Sequence, residues 1–236
     1  MSKDSLGDRM KHNYEDRYRF YLTRRVPVII RLDGKGFTKL TKKCEKPFDA
    51  QFNSSMVYTM INLCEELQGA KCAYTQSDEI SILLTDFDNL TTEAWFDYNM
   101  QKIISISASI ASVRFSKTLF AQEEDRIDKA TLFDSRVFNI PKEEVCNYFI
   151  WRQKDWIRNS VSMLARAHFS HKECMNKKQN QLHDMLHNIG INWAELEPKW
   201  KNGTFIHKVD RNWVVKDEVI FTENREIIDN LLIVNE

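Results

Sequence analysis

Apolar and polar positions along this chain follow two different periods. The segment PVIIRLDG (27–34) opens on Pro27, runs through β-branched apolar residues and closes on a turn-forming Asp-Gly, the pattern of a buried strand. Pro47 and Asp49 then introduce Phe52, Met56, Met60, Leu63 and Leu67 at helical spacing, with Gly69 placed to end the helix. KCAYTQSDEISILLTD (71–86) holds two short apolar runs around Gln-Ser-Asp-Glu, which predicts a hairpin with a polar turn. Ile104 to Ala108 alternate like a strand. The surrounding 95–120 contains no Gly or Pro and is too long for one, so the segment predicts a helix whose Ser and Ala residues permit close approach to a sheet. AQEEDRIDK (121–129) reads as a charged loop and TLFDSRVFNI (131–140) as a strand. Pro141 with Glu143 and Glu144 marks a further helix start.

The resulting order, β-α-β-β-α-β, is the split-βαβ or ferredoxin-like arrangement: an α+β fold with an antiparallel sheet and helices on one face. Beyond residue 141 the pattern is mainly helical, broken at Gly190 and Pro198, with a small hairpin between Thr204 and Phe221 and a short helix near the end. The expected organisation is a core over 1–141 with a basic N-terminal arm, and a helical extension over 142–236 packed on it.

The 236 residues are 42% apolar, 11% aromatic and 29% charged, enough apolar material for a packed core, and the six Gly and four Pro leave little room for linkers. No apolar run approaches the ~18 residues of a membrane span, and MSKDSLGDRM lacks the apolar stretch of a signal peptide. Cys44, Cys64, Cys72, Cys146 and Cys174 form no C-x-x-C pair, so neither a disulfide framework nor a cysteine zinc site is indicated, and a reduced, cytoplasmic protein is expected. The zero net charge conceals an asymmetry. Residues 1–46 carry thirteen Lys or Arg against six acids, and residues 47–101 carry nine acids against Lys71 alone. This reads either as a solvated surface with compensating charges or as a basic arm for a polyanion beside an acidic block that gathers cations.

Asp33 ends the first strand just before Gly34, while Asp78 and Glu79 stand at the hairpin of the next two strands. In a split-βαβ sheet those strands are neighbours, so the acids can converge. Two carboxylates and a backbone carbonyl suit Mg²⁺, and two such ions about 3.5–4 Å apart suit phosphoryl transfer. The competing reading is that Asp33 begins a turn and Asp78 caps a hairpin. Gly34-Lys35-Gly36 matches neither the G-x-G-x-x-G nor the Walker pattern. Lys35, Lys39, Lys42, Lys43 and Lys46 form a lysine-rich loop that could hold phosphate. His183 with His187, and His168 with His171, have helical spacing, but no H-E-x-x-H accompanies them, and they read as surface or packing residues.

The ordered set RLDGKGFTKLT (31–41), KPFD (46–49), YTQSDEISILL (74–84), FDSRVFNIP (133–141) and YFIWRQKDWIRNS (148–160) resembles the tRNA-His guanylyltransferase superfamily, the 3′–5′ RNA polymerases. The resemblance implies a polymerase-palm-like fold. It also implies a metal-dependent nucleotidyltransferase that activates a tRNA 5′-monophosphate with ATP, lets the 3′-hydroxyl of an incoming nucleoside triphosphate attack the adenylylated end, and uses ATP, GTP or other NTPs as substrates. Carried over, Asp33 and Asp78 with the Gly34 carbonyl would hold two Mg²⁺ ions, and Glu79 belongs to the same catalytic motif. Lys35, Gly36, Phe37, Lys46, Ser77, Lys102, Arg136, Arg158 and Asn159 would contact nucleotide or RNA. A homotetramer is implied, with no membrane association.

Two departures bear on substrate. Where eukaryotic members read His-Ile-Asn-Asn, this chain reads Trp156-Ile157-Arg158-Asn159, and where the family has Lys-Pro-Asn-Asp it has Lys46-Pro47-Phe48-Asp49. They resemble the guanylyltransferase-like branch, which adds templated nucleotides to 5′-truncated tRNA. Alternatives are addition of a single G to tRNA-His, a palm-fold nucleotide cyclase, and a non-catalytic RNA-binding subunit.

Overall fold

The computed structural model describes residues 5–120 and 131–233. The charged loop expected at 121–129 lies outside the described residues. Six strands form one antiparallel sheet: β1 (Val28–Lys35), β2 (Ala70–Gln76), β3 (Glu79–Leu84), β4 (Leu132–Asn139), β5 (Thr204–Val209) and β6 (Asn212–Lys216), in the order β4-β1-β3-β2-β5-β6. Helices α1 (Leu6–Met10), α2 (Thr38–Thr41), α3 (Ala50–Glu66) and α4 (Met100–Phe120) precede β4. After it come α5 (Lys142–His168), α6 (His171–Cys174), α7 (Gln179–His187), α8 (Pro198–Asn202) and α9 (Glu226–Asp229).

Strand periodicity divides the core in two. Val28, Ile30 and Leu32 of β1, with Ile80, Ile82 and Leu84 of β3, pack with Phe52, Met56, Met60 and Leu63 of α3 and Ile103, Ala111 and Phe115 of α4. The intervening residues Ile29 and Leu83 face Val145, Cys146 and Phe149 of α5. The extension thus roofs the face that α3 and α4 leave open, and burying apolar side chains on both faces stabilises the sheet by about 25 cal/mol per Å² removed from water. The Asp49 carboxylate accepts from the Phe52 N–H at 2.8 Å and starts α3 at the expected cap.

Two details depart from the sequence pattern. The small hairpin of the extension is β5 and β6, and β5 pairs with β2 from Cys72↔His207 to Thr75↔Thr204. Without it the outer edge of β2 would present unpaired backbone groups. The helix expected from Trp95 begins at Met100 instead. Phe96, Asp97 and Tyr98 adopt positive φ in a short turn, because the N-terminal strap crosses there: the Leu22 N–H donates to Tyr98 C=O at 3.0 Å and the Met100 N–H to Phe20 C=O at 2.9 Å.

Part of the charge asymmetry is internal pairing. Arg24 reaches Asp86 at 2.6 Å and Asp97 at 2.9 Å, and Arg25 donates its backbone N–H to Asp86 at 2.9 Å. No described helix is long and apolar enough to cross a membrane.

Candidate active site at a strand-hairpin junction

β1 runs out at Asp33-Gly34-Lys35, and the β2–β3 hairpin turns at Ser77-Asp78. The two meet directly, since the Gly34 N–H donates to Asp78 C=O at 3.0 Å. Gly34 has a steric role: a Cβ there would sit 2.6 Å from the Phe37 ring, so the ring would have to shift. Ser77 takes φ 49°, and its hydroxyl donates to the Asp78 carboxylate at 3.0 Å. Burial holds the Asp78 carboxyl above the ordinary carboxylate range. Its backbone and Ser77 hydrogen bonds pull it down, and the negative charges of Asp33 and Glu79 add to the rise. The acids separated in sequence therefore feel one another's charge.

Asp33 sits directly opposite Glu79 on β3 and Asp134 on β4, so three carboxylate-bearing positions lie in one cross-strand row. Like charges so placed repel unless compensated. Arg136 lies 3.3 Å from Asp134. Glu79 is buried and bound by Arg152 through Nε at 2.6 Å and Nη2 at 2.8 Å, and by Arg31 at 2.6 Å. Arg152 continues to Asp155 at 3.0 Å, and Asp155 to Arg158. The Glu79 carboxylate, expected in the catalytic motif, here ties β3 to β1 and α5.

The remaining candidates divide by position. Lys46 and Ser77 line a cleft with Phe48, Asp49, Gln76, Trp156 and Trp200. Its volume is about 60 Å³, and it opens to solvent. Phe48 stacks on Trp200 with centroids 5.0 Å apart and meets Trp156 at 6.2 Å. Both departures from the family pattern, Phe48 and Trp156, are thus parts of one aromatic wall. Gln76 Oε1 and Trp156 Nε1 are buried without a hydrogen-bond partner. Lys35, Gly36, Arg136, Arg158 and Asn159 are exposed.

Phe37 is different. Its ring packs against Phe52, Phe115 and Phe133 and is buried, so its side chain is part of the core. Lys102 lies in the first turn of α4, over the Phe96 ring, at the end of the sheet away from Asp33. Phe115 of the same helix reaches Phe37, and thirteen residues at 1.5 Å each put Lys102 about 20 Å further along.

Sequence reasoning missed Arg31, Arg152, Asp134, Gln76, Trp156 and Trp200. All but Trp200 stand within the quoted motifs, which carried the only signal for them. Among the described residues, no three His, Cys, Asp or Glu side chains gather as a metal cluster. The junction offers instead two carboxylates, Asp33 and Asp78, beside the Gly34 backbone.

The Thg1 family model, described as tRNAHis guanylyltransferase, matches residues 7–141. The chain is 32% identical over 229 residues to an uncharacterized protein of Acanthamoeba polyphaga mimivirus, covering 87% of this chain and 77% of that one. To the tRNA(His) guanylyltransferase of Debaryomyces hansenii it is 28% identical over 196 residues, covering 76% and 72%. Its fold superposes on a bacterial tRNA(His) guanylyltransferase-like protein in complex with ATP, with a TM-score of 0.92 and 41% identity over 98% of this chain and 100% of that one. A bacterial protein of the same description in complex with GTP gives 0.82 and 38%, over 97% and 99%.

Proposed function

Because the chain belongs to the tRNA-His guanylyltransferase family, we propose that this nucleotidyltransferase adds templated nucleotides, 3′ to 5′, to the 5′ end of truncated tRNA. Monophosphorylated RNA would first be adenylylated with ATP. The observation that carries the reading is the junction itself, where the Gly34–Asp78 hydrogen bond brings two acids together beside a cleft lined by Lys46 and Ser77.

The donor set fits Mg²⁺. It is all oxygen, and Asp78 carries a charge that burial and Asp33 both disfavour, a cost that a divalent cation would offset. Asp33, Asp78 and the Gly34 carbonyl would hold the ions, which when bound would neutralise phosphate charge and polarise the reacting oxygens. The protein's own part is positioning. Lys46, whose ammonium donates to Thr41 C=O at 2.6 Å, is held at the cleft mouth where a triphosphate would enter. Ser77 fixes the rotamer of Asp78, and Arg152 and Arg31 hold the strand behind it. Phe48 and Trp200, stacked on each other beside Trp156, give the cleft an apolar aromatic wall suited to a nucleobase. Solved relatives hold ATP and GTP.

Templated addition needs little base-specific protein contact, because pairing with the opposite strand selects the nucleotide. The aromatic wall, built from both departures, favours this branch over addition of a single G. The decisive experiment incubates the chain with Mg²⁺, ATP and a labelled 5′-truncated tRNA, offering each NTP in turn. Incorporation of whichever nucleotide the opposing base specifies supports repair. Addition of G alone, whatever stands opposite, supports the tRNA-His reaction. NTP turnover without RNA supports a cyclase, and RNA binding without incorporation a non-catalytic subunit. A cytoplasmic homotetramer completes the proposal, supported by five cysteines that form no disulfide and by an exposed apolar stripe on the arm.

A further inference from the structure

At the distal end of α5 the chain builds a second concavity, remote from the Asp33–Asp78 junction. Arg166 of α5, His171 and Cys174 of α6 and Lys177 of the following loop surround a cavity of about 230 Å³, floored by Leu182 of α7. No carboxylate among the described residues lines it. Among the described residues, neither a hydrogen bond nor an ion pair engages the side chain of Arg166, His171 or Lys177. Arg24, Arg31, Arg114, Arg152 and Arg158, by contrast, each meet an acid. Between residues 166 and 178 the sole acid is Glu173. Its carboxylate is turned away, accepting from the Ser170 backbone at 2.8 Å and hydroxyl at 2.6 Å, and those bonds hold its pKa below the ordinary range.

Arg166 and Lys177, from α5 and the loop after α6, thus share one solvent-facing concavity with the His171 imidazole, a set of donors that suits an anion. The floor is apolar, and the Ser162 hydroxyl at the rim is already committed to Arg158 C=O at 2.9 Å. A free nucleotide would need stacking rings, which this lining lacks. A phosphodiester needs only charge and donors. Arg152, beside the proposed active site, lies fourteen residues before Arg166 on the same helix, about 21 Å along its axis.

We propose that this cavity takes a backbone phosphate of the tRNA body, anchoring the RNA some two tens of ångströms from its reacting end. The inference rests on the reading that RNA is the substrate. It adds a contact that reads no sequence and acts on affinity, leaving the chemistry to the junction.

The test uses the full chain with its Arg166→Glu/Lys177→Glu variant, and Arg166→Gln/Lys177→Gln should charge reversal impair folding, as checked by thermal melting. Binding to 5′-truncated tRNA is titrated without nucleotides across a salt series. Nucleotide addition is measured on a 5′-triphosphorylated hairpin too short to span about 21 Å. The expected result is a tRNA Kd raised roughly tenfold and a log–log salt slope shallower by about 1, the signature of one lost phosphate contact, with hairpin addition unchanged. Wild-type affinity and slope would overturn the proposal. So would loss of hairpin addition, which would place the effect at the reacting end. Because binding is read without chemistry, failure of addition on every RNA would sink the repair reading alone, and an unchanged slope with intact addition would sink this one alone.

Discussion

Asp78 is held charged where its surroundings disfavour charge, and that conflict is measurable. Its raised pKa arises first from burial and is increased by Asp33. A carboxyl whose folded pKa exceeds its unfolded value binds more protons when folded, so it lowers stability as pH rises through that range. Asp78→Asn should therefore melt higher than wild type near pH 7, by roughly 2–4 °C per kcal/mol relieved, while losing nucleotide addition. The gain should fade as pH falls toward the range where the wild-type carboxyl is itself protonated. A calorimetric pH series on both proteins checks the sign. Mg²⁺ should raise the melting temperature of wild type but not of Asp33→Asn, since only a cation bound to the folded state stabilises it. The neighbouring glycine makes a separate prediction. Gly34→Ala drives a Cβ into the Phe37 ring, an overpacking cost of about 1–3 kcal/mol. Adding Phe37→Leu should recover part of it in urea unfolding. At this scale the sequence was legible where the cause is local. Asp-Gly at a strand end and Ser-Asp at a turn announce themselves, whereas the core packing of Phe37 and the ion pairing of Glu79 do not, because their partners, Phe115, Phe133 and Arg152, lie far along the chain.

Among elements, the strongest polar tie runs from α5 to the sheet through Arg152, Glu79 and Arg31. Removing one member of a buried pair leaves an uncompensated charge. Arg152→Met should cost about 3 kcal/mol, near the low end for such losses because Arg31 still faces Glu79. A parallel fall in activity with unchanged nucleotide KM would mark a positioning role, read from steady-state kinetics. Most elements could be read from periodicity: β1, the β2–β3 hairpin, α3 with its Asp49 cap, β4 and α5 all fall where their patterns put them. The start of α4 could not, because the kink at Phe96–Tyr98 answers to a strap some 75 residues upstream. Nor does any local pattern in 204–216 reveal that this hairpin joins the central sheet.

For the whole molecule, charge and exposed apolar surface point the same way. Leu6, Met10, Tyr14 and Tyr18 recur every fourth residue along the arm's helical turns and stay exposed. Solitary exposed apolar residues are ordinary, but a row of them suits a subunit contact. If the assembly is a homotetramer, Leu6→Asp/Tyr14→Asp should yield smaller species by light scattering after gel filtration, with the monomer fold retained by circular dichroism. An unchanged mass would exclude the arm as that contact.

The pairing of β2 with β5 also sets a schedule for biosynthesis. Residue 76 leaves the ribosome well over a hundred residues ahead of Thr204, the first residue of its partner strand. At about 5–20 residues per second, the nascent chain exposes a half-zipped edge for many seconds. Chains released early at residue 141 would keep that edge for good, and should be found with chaperones or in inclusion bodies.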